Sequence, residues 1–151
     1  MEKINTLEIS IRKKEKNVWD VETNLTKVND SSRVNNKGEL TLSEKDIDST
    51  LTNYKTNPNP EKYGRFLGKA LFQDEISDAY KQAIDSSPEG MRVILTVEDQ
   101  ELEALYWHWL CAPRDWNFIS LNQRSYFSIG LESSVNRNFP QIKRQNLKAL
   151  N

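Results

Sequence analysis

The stretch Met91-Arg92-Val93-Ile94-Leu95-Thr96-Val97 decides the fold class of this chain. Its apolar residues fall at every second position, which is the period of a β-strand. Ile94 adds an apolar residue on the opposite side, so we expect a strand that is covered on both faces. Stretches with helical spacing stand before and after it. A strand set between amphipathic helices predicts an α/β fold.

Two amphipathic helices are predicted just before this strand. Asn59 suits the N-cap of the first, with Pro60 at its first position, where a missing N–H costs nothing. The second begins near Asp74. Apolar residues recur in both at the spacing of one helix face: Tyr63, Phe66, Leu67, Ala70 and Leu71, then Ile76, Ala79, Tyr80, Ala83 and Ile84. Gly64 and Gly68 share one side of the first helix, and small residues there would let another backbone approach closely.

One earlier helix and one later helix are also predicted. Ser43, with Asp46 three residues on, suits an N-cap, and the apolar residues behind it are Ile47, Leu51 and Tyr54. The later helix is predicted from about Asp99 to Cys111, on a stripe formed by Leu102, Leu105, Tyr106, Trp109 and Leu110. Two more strands are expected near residues 118–121 and 125–132.

The first 42 residues predict β structure. Two runs alternate apolar with polar residues, around Ile9 and around Val21, and together they predict a hairpin. The polar stretch Asn29–Gly38 predicts a loop, followed by a short strand around Leu40 and Leu42. The fold class is therefore α/β, with an N-terminal β-hairpin region, three to four amphipathic helices and a small mixed sheet.

Length and composition predict one domain with an arm. The chain has 151 residues and a mass of 17.6 kDa, which suits a single α/β domain over residues 1–132. Residues 133–151 are sparse in apolar side chains and contain no acid, but they carry four basic residues: Arg137, Lys143, Arg144 and Lys148. We expect this tail to be a basic linker or a terminal arm.

Charge and cysteine content exclude several classes of protein. The 21 basic and 22 acidic side chains give a net charge of -1, so no global field favours nucleic acid or an anionic membrane. No stretch is long and apolar enough for a membrane span, and the start lacks an apolar signal core, so a cytoplasmic location is expected. One cysteine and one histidine exclude an internal disulfide and a His/Cys metal cage. No cofactor and no metal are expected.

His108 and Cys111 are the first candidates for chemistry. Lying three apart on the predicted later helix, an imidazole beside a thiol could lower its pKa and produce a nucleophile. No third group orients the pair, however, so a packed cysteine beside a surface or boundary histidine is favoured. Two acid pairs are two residues apart and do not share a helix face: Glu101 with Glu103, and Asp46 with Asp48. We therefore expect no catalytic residue.

Aromatic residues supply the candidates for a partner contact. Trp107 lies off the predicted apolar stripe, and Trp116 follows just past the helix. Together with His108 they could form a contact surface for another protein, since aromatic residues are enriched at interface hot spots. A second core layer under the following strands explains the two tryptophans as well. Binding of nucleic acid by the tail is not favoured, because its four charges lack interleaved exposed aromatic residues.

Four stretches together resemble a known family. They are Phe66-Leu67-Gly68-Lys69-Ala70-Leu71-Phe72, then Met91–Val97, then Glu101-Leu102-Glu103-Ala104-Leu105-Tyr106-Trp107-His108-Trp109-Leu110, and last Phe118-Ile119-Ser120-Leu121 with Arg124-Ser125. In this order they resemble the N-terminal part of the CHAT family, caspase-like cysteine peptidases that are often joined to tetratricopeptide repeats. The resemblance covers about residues 4–132.

The resemblance implies a fold like the front part of a caspase-like domain, and it implies no catalytic residue here. Tyr106 replaces a proline of the family pattern, and His108 replaces a glutamate. The histidine and cysteine of the family dyad lie downstream of the matched region. His108 and Cys111 do not match the dyad positions and inherit no role from them.

The leading functional hypothesis is a non-catalytic N-terminal module, or truncated member, of a CHAT-type peptidase system that packs against or regulates a catalytic part. Strands of a caspase-like sheet would then be missing, leaving an open sheet edge. Such an edge is expected to pair with another chain, by dimerisation or by complementing a separate polypeptide. The alternative is a stand-alone adaptor that binds other proteins through its aromatic helix and basic tail.

Overall fold

The computed structural model describes residues 4–28, 33–49 and 59–131. It is a mixed α/β structure, so the predicted fold class is confirmed. The strands are β1 (Asn5–Glu15), β2 (Val18–Thr26), β3 (Arg33–Thr41), β4 (Met91–Glu98) and β5 (Ser125–Leu131). The helices are α1 (Pro60–Leu71), α2 (Asp74–Asp85) and the short α3 (Gln100–Glu103), with 3-10 turns at Trp107–Trp109 and Ile119–Leu121. Residues 44–49 are also helical.

The five strands form one sheet in the order β3-β2-β1-β4-β5. β1, β2 and β3 are antiparallel neighbours. β4 runs parallel to β1, and β5 runs parallel to β4. The antiparallel half comes first in the chain, and the helices α1 and α2 carry the chain across to the parallel half.

One face of the sheet carries the hydrophobic core, and we call it the inner face. The strand register places Leu7 opposite both Leu25 and Val93, and all three side chains are buried. α2 packs on β2 and β3, and α1 packs on β3 and on the turn at Trp107–Trp109. The inner face of β4 is the most completely buried, with four side chains at 0% exposure: Met91, Val93, Leu95 and Val97.

The predicted helix starts are confirmed. The side chain of Asn59 accepts a hydrogen bond of 3.1 Å from the backbone N–H of Lys62, with Pro60 as the first helical residue. At the earlier start, the Asp46 backbone N–H donates to the Ser43 hydroxyl at 3.0 Å. Leu51 and Tyr54 of that earlier helix lie outside the described residues.

The prediction of a loop over Asn29–Gly38 is wrong from residue 33 onward. β3 occupies Arg33–Thr41 and pairs with the whole of β2. Because it is an edge strand with one face toward solvent, its side chains are mostly polar and exposed. A polar edge strand has the composition of a loop, and only its pairing with β2 reveals it.

The predicted helix from Asp99 to Cys111 is also wrong. α3 covers only Gln100–Glu103, and a 3-10 turn follows at Trp107–Trp109. The backbone N–H of Tyr106 donates to the Tyr63 hydroxyl at 2.7 Å, and that of Cys111 donates to the Gly64 carbonyl at 3.2 Å. These two N–H groups therefore donate to α1, whereas in a continuous helix they would donate to carbonyls one turn earlier in the same helix.

The strand expected at residues 118–121 is not formed. Phe118 makes one isolated bridge with Cys111, and Ile119–Leu121 is a 3-10 turn. The loop between Cys111 and Phe118 contains Pro113 and bends through positive φ at Arg114 (90°) and Trp116 (54°). The bridge does not extend into a ladder, because the segments on its outer side, Trp107–Trp109 and Ile119–Leu121, form 3-10 turns. The strand expected near 125–132 is confirmed as β5.

The opposite face of the sheet, which we call the outer face, is covered by none of the described helices. On β4, Arg92 is exposed and Ile94 is half-buried. The expectation that residues 91–97 are covered on both faces is therefore wrong within the described part of the chain.

The tail at 133–151 lies outside the described residues, so its role stays a prediction. In the described ranges, no helix has the length and apolarity needed to cross a bilayer.

Candidate interaction surface

The outer face of the two parallel strands is the first part of the candidate surface. The register places Arg92 beside Tyr126, Ile94 beside Ser128, and Thr96 beside Gly130. We call these six residues the outer β4–β5 face. Tyr126 is 57% exposed, although parallel strands are normally covered on both faces. The described residues thus leave open a surface that parallel strands usually bury.

The outer face of the antiparallel strands is different, because it carries charges that suit solvent. Arg12 on β1 donates a hydrogen bond of 3.3 Å to Glu98 on the neighbouring strand β4. This ion pair lies at the boundary between the outer face of the antiparallel strands and that of the parallel strands. Glu8 and Asp20 are also exposed on this face. An antiparallel sheet can leave one face in water, so this half needs no cover.

The free edge of β5 is the second part of the candidate surface. Within the described chain, β5 pairs only with β4. Its sequence Ser125–Leu131 contains no charged residue and no proline. The opposite edge strand β3 instead carries three charged residues: Arg33, Lys37 and Glu39. Charged residues and proline both keep an edge strand from pairing. β3 carries charged residues, whereas β5 has neither charged residues nor proline.

Trp107 lies in the core rather than on the surface. It is 2% exposed, and its Nε1 donates a hydrogen bond of 2.7 Å to the carbonyl of Leu102. Of the two interpretations of this tryptophan, the structure favours the core layer, because a buried side chain cannot contact a partner.

His108 and Trp116 remain accessible. His108 is exposed, and its ring centroid lies 5.0 Å from that of Tyr106. Trp116 is half-buried and packs over α1, with Lys69 Nζ 5.7 Å from its ring centroid. The loop that holds Trp116 is tied to α2 by two hydrogen bonds of 2.7 Å from Arg114 to Asp85, and these hold the pKa of Asp85 below its usual value. A partner contact at His108 and Trp116 stays a prediction.

Cys111 is buried against α1 and has the properties of a packed thiol. It is 1% exposed, and its thiol donates toward the Trp109 carbonyl at 3.7 Å. Burial raises the pKa of Cys111 to about 11, which disfavours the thiolate that a nucleophile needs. Among the described residues, no group of three or more histidine, cysteine, aspartate or glutamate side chains could hold a metal ion.

The thiol of Cys111 is expected to react slowly in the folded chain. At pH 8, alkylation by iodoacetamide should be at least ~100-fold slower in buffer than in urea, because folding suppresses the thiolate and blocks access to sulfur. The unfolded chain loses the thiol proton near the ordinary pKa of 9.0, whereas the folded chain keeps it up to a pKa of about 11. The free energy of unfolding therefore falls as the pH rises between these two values. Equal alkylation rates, read by intact mass, would show an accessible thiol. A Cys111→Ser variant controls for labelling elsewhere.

The comparisons with known proteins give no further guide. The chain matches none of the family models, curated proteins or solved structures with which it was compared. The sequence had pointed to Trp107, His108 and Trp116, whereas the outer β4–β5 face and the β5 edge were not found from residue patterns. The one available signal was the charge-free run Ser125–Leu131, whose significance depends on its position at the edge of the sheet.

Proposed function

We propose that this chain is the non-catalytic N-terminal module of a CHAT-type, caspase-like peptidase system, working in the cytoplasm. It packs against a catalytic part and regulates it. The observation that carries the proposal is the outer β4–β5 face, where Tyr126 is 57% exposed on parallel strands. A catalytic part that covers this face would complete the two-sided burial that parallel strands require.

The packing of the family-like stretches supports the proposal. Phe66–Leu71 forms the end of α1 and Phe72 follows it directly, while Gly68 lies against the backbone of Cys111, just beyond the stretch Glu101–Leu110. Met91–Val97 forms the buried strand β4 beside them. The stretches that resemble the family therefore meet in one continuous core rather than lying apart.

One departure from the family pattern is Tyr106 in place of a proline, and its backbone makes a contact that a proline could not make. The backbone N–H of Tyr106 donates to the Tyr63 hydroxyl at 2.7 Å. A proline at this position has no N–H and cannot make that hydrogen bond. In this chain the backbone at Tyr106 is therefore held by the hydroxyl of Tyr63 on α1. Trp107, the next residue, remains buried.

A non-catalytic role agrees with the state of the one thiol. Cys111 is buried with a raised pKa, and the only histidine is exposed and stacks against Tyr106. A His–Cys mechanism needs an accessible thiolate beside an oriented imidazole. Any peptidase activity of the system is therefore proposed to come from a different part.

A stand-alone adaptor remains the alternative function. It is favoured by the exposed His108 and the half-buried Trp116, but the burial of Trp107 removes one of the three aromatic contacts on which it depends. The two functions predict different surfaces: the outer β4–β5 face for the catalytic part, and the His108–Trp116 side for an adaptor.

Photo-crosslinking in the native cells distinguishes these surfaces. With a benzophenone amino acid in place of Tyr126, the chain is expected to crosslink to a polypeptide that carries a His–Cys dyad. The same group at Lys16, in the exposed turn between β1 and β2, is the matched control and should give no such adduct. Adducts at His108 without adducts at Tyr126, or partners that lack a dyad, would contradict the proposal.

A further inference from the structure

The β5 edge has the features of a pairing surface. Its seven residues, Ser125–Leu131, carry no charge and no proline, and in the described chain they have a strand on one side only. Leu121, in the 3-10 turn that packs against β5, is 75% exposed. An uncharged strand with exposed apolar neighbours is the kind of edge to which another strand adds.

The order of residues in β5 suits pairing with an antiparallel copy of itself. If Ser128 lies opposite Ser128 of a second copy, Phe127 meets Ile129 and Tyr126 meets Gly130. Phe127 and Ile129 are half-buried on the inner face, so aromatic and aliphatic side chains would pair beside the core. With no charge on the strand, no like charges are brought together.

The outer face fits the same register. Among the described residues, a Cβ added at Gly130 would find only Thr96 Oγ1 within 4 Å, at 3.8 Å, so this part of the chain leaves the space above the glycine open. In the antiparallel register it lies opposite Tyr126, whose ring is 57% exposed. An aromatic side chain across from a strand glycine covers the backbone that the glycine leaves bare.

We propose that a second copy of this chain occupies the β5 edge, antiparallel and centred on Ser128, so that the sheet continues across both copies about a two-fold axis. The pairing uses the backbone edge of β5, whereas a catalytic part would cover side chains of the outer β4–β5 face, and Tyr126, Ser128 and Gly130 belong to both surfaces. Because dimerisation is measured on the purified chain without a catalytic part, its outcome is distinguishable from that of the proposed function.

Sedimentation velocity of the purified full chain tests the proposal. At micromolar concentrations the wild type is expected to have a mass twice 17.6 kDa. Ser128→Lys places two lysines opposite each other, and Ser128→Glu places two glutamates there. Each variant alone should raise the dimer dissociation constant by about tenfold or more, because like charges directly opposite destabilise paired strands. Thr41→Lys, an exposed position on the other edge strand, is the matched control and should leave the dimer intact.

Mixing the two charged variants identifies the register. An equimolar mixture of Ser128→Lys and Ser128→Glu should recover dimer, since only the mixed pair places opposite charges together. A wild type that stays monomeric overturns the proposal, including the case in which residues 132–151 of the same chain cover β5. Dimers that persist in both single variants, or a mixture that fails to recover them, also overturn it.

Discussion

Replacing Gly64 with alanine is expected to destabilise the chain by about 3 kcal/mol, despite the better helix propensity of alanine. A Cβ at this position would overlap the carbonyl oxygen of Trp109 and would lie 2.8 Å from Cys111 Sγ. The backbone oxygen cannot rotate away, so α1 or the 109–111 segment must move. The hydrogen bond from the Cys111 N–H to the Gly64 carbonyl would be strained by the same movement.

Urea unfolding followed by circular dichroism measures this cost. The neighbouring Arg65→Ala substitution is the control, because Arg65 is exposed on the same helix and surface changes of this kind usually stay within about 0.5 kcal/mol. A Gly64→Ala variant as stable as the wild type would show that the 109–111 segment does not lie against α1.

Replacing Trp107 with alanine is expected to cost about 4 kcal/mol, the usual range for a buried tryptophan. The side chain is 2% exposed, and its Nε1 is the donor to the Leu102 carbonyl at 2.7 Å. Trp107→Phe keeps most of the packing but leaves that carbonyl without its donor, so a smaller loss of about 1–2 kcal/mol is expected.

His108→Ala is the control for this experiment, since His108 is the exposed neighbour and should change stability by less than about 0.5 kcal/mol. The difference in stability loss between Trp107→Ala and His108→Ala shows whether Trp107 lies in the core or on the surface. A stability loss below about 1 kcal/mol for Trp107→Ala would mean that Trp107 is not part of the core.

Sequence patterns predicted the fold where each element buries one regular face. α1, α2 and β4 show this clearly, because their apolar residues recur at the period of a helix or a strand. Gly64 and Gly68 would let another backbone approach closely, and the backbone of the 109–111 segment lies there.

Patterns failed where tertiary contacts decide the local structure. The stripe in Asp99–Cys111 has helical spacing, yet its backbone donors bond to Tyr63 and Gly64 on α1. β3 was missed because an edge strand with a solvated face contains few apolar residues.

The candidate surface was harder to predict than the fold. Tyr126 and Ile94 gain importance only from a parallel register that places them on one face, which no described helix covers. Ser128 gains its role only because β5 is the last strand of the described sheet. The face on which Tyr126 and Ile94 lie and the edge position of Ser128 both depend on which strands are neighbours. Residue patterns alone therefore do not predict them.

The mass of the native assembly tests the central claim most directly. The chain would be isolated from its own cells without denaturation, and its assembly analysed by native mass spectrometry and peptide sequencing. We predict that the chain is joined, covalently or by tight association, to a polypeptide with a His–Cys dyad. An assembly that contains only 17.6 kDa chains, whether single or paired, would contradict the account of this protein as a module of a cysteine peptidase system.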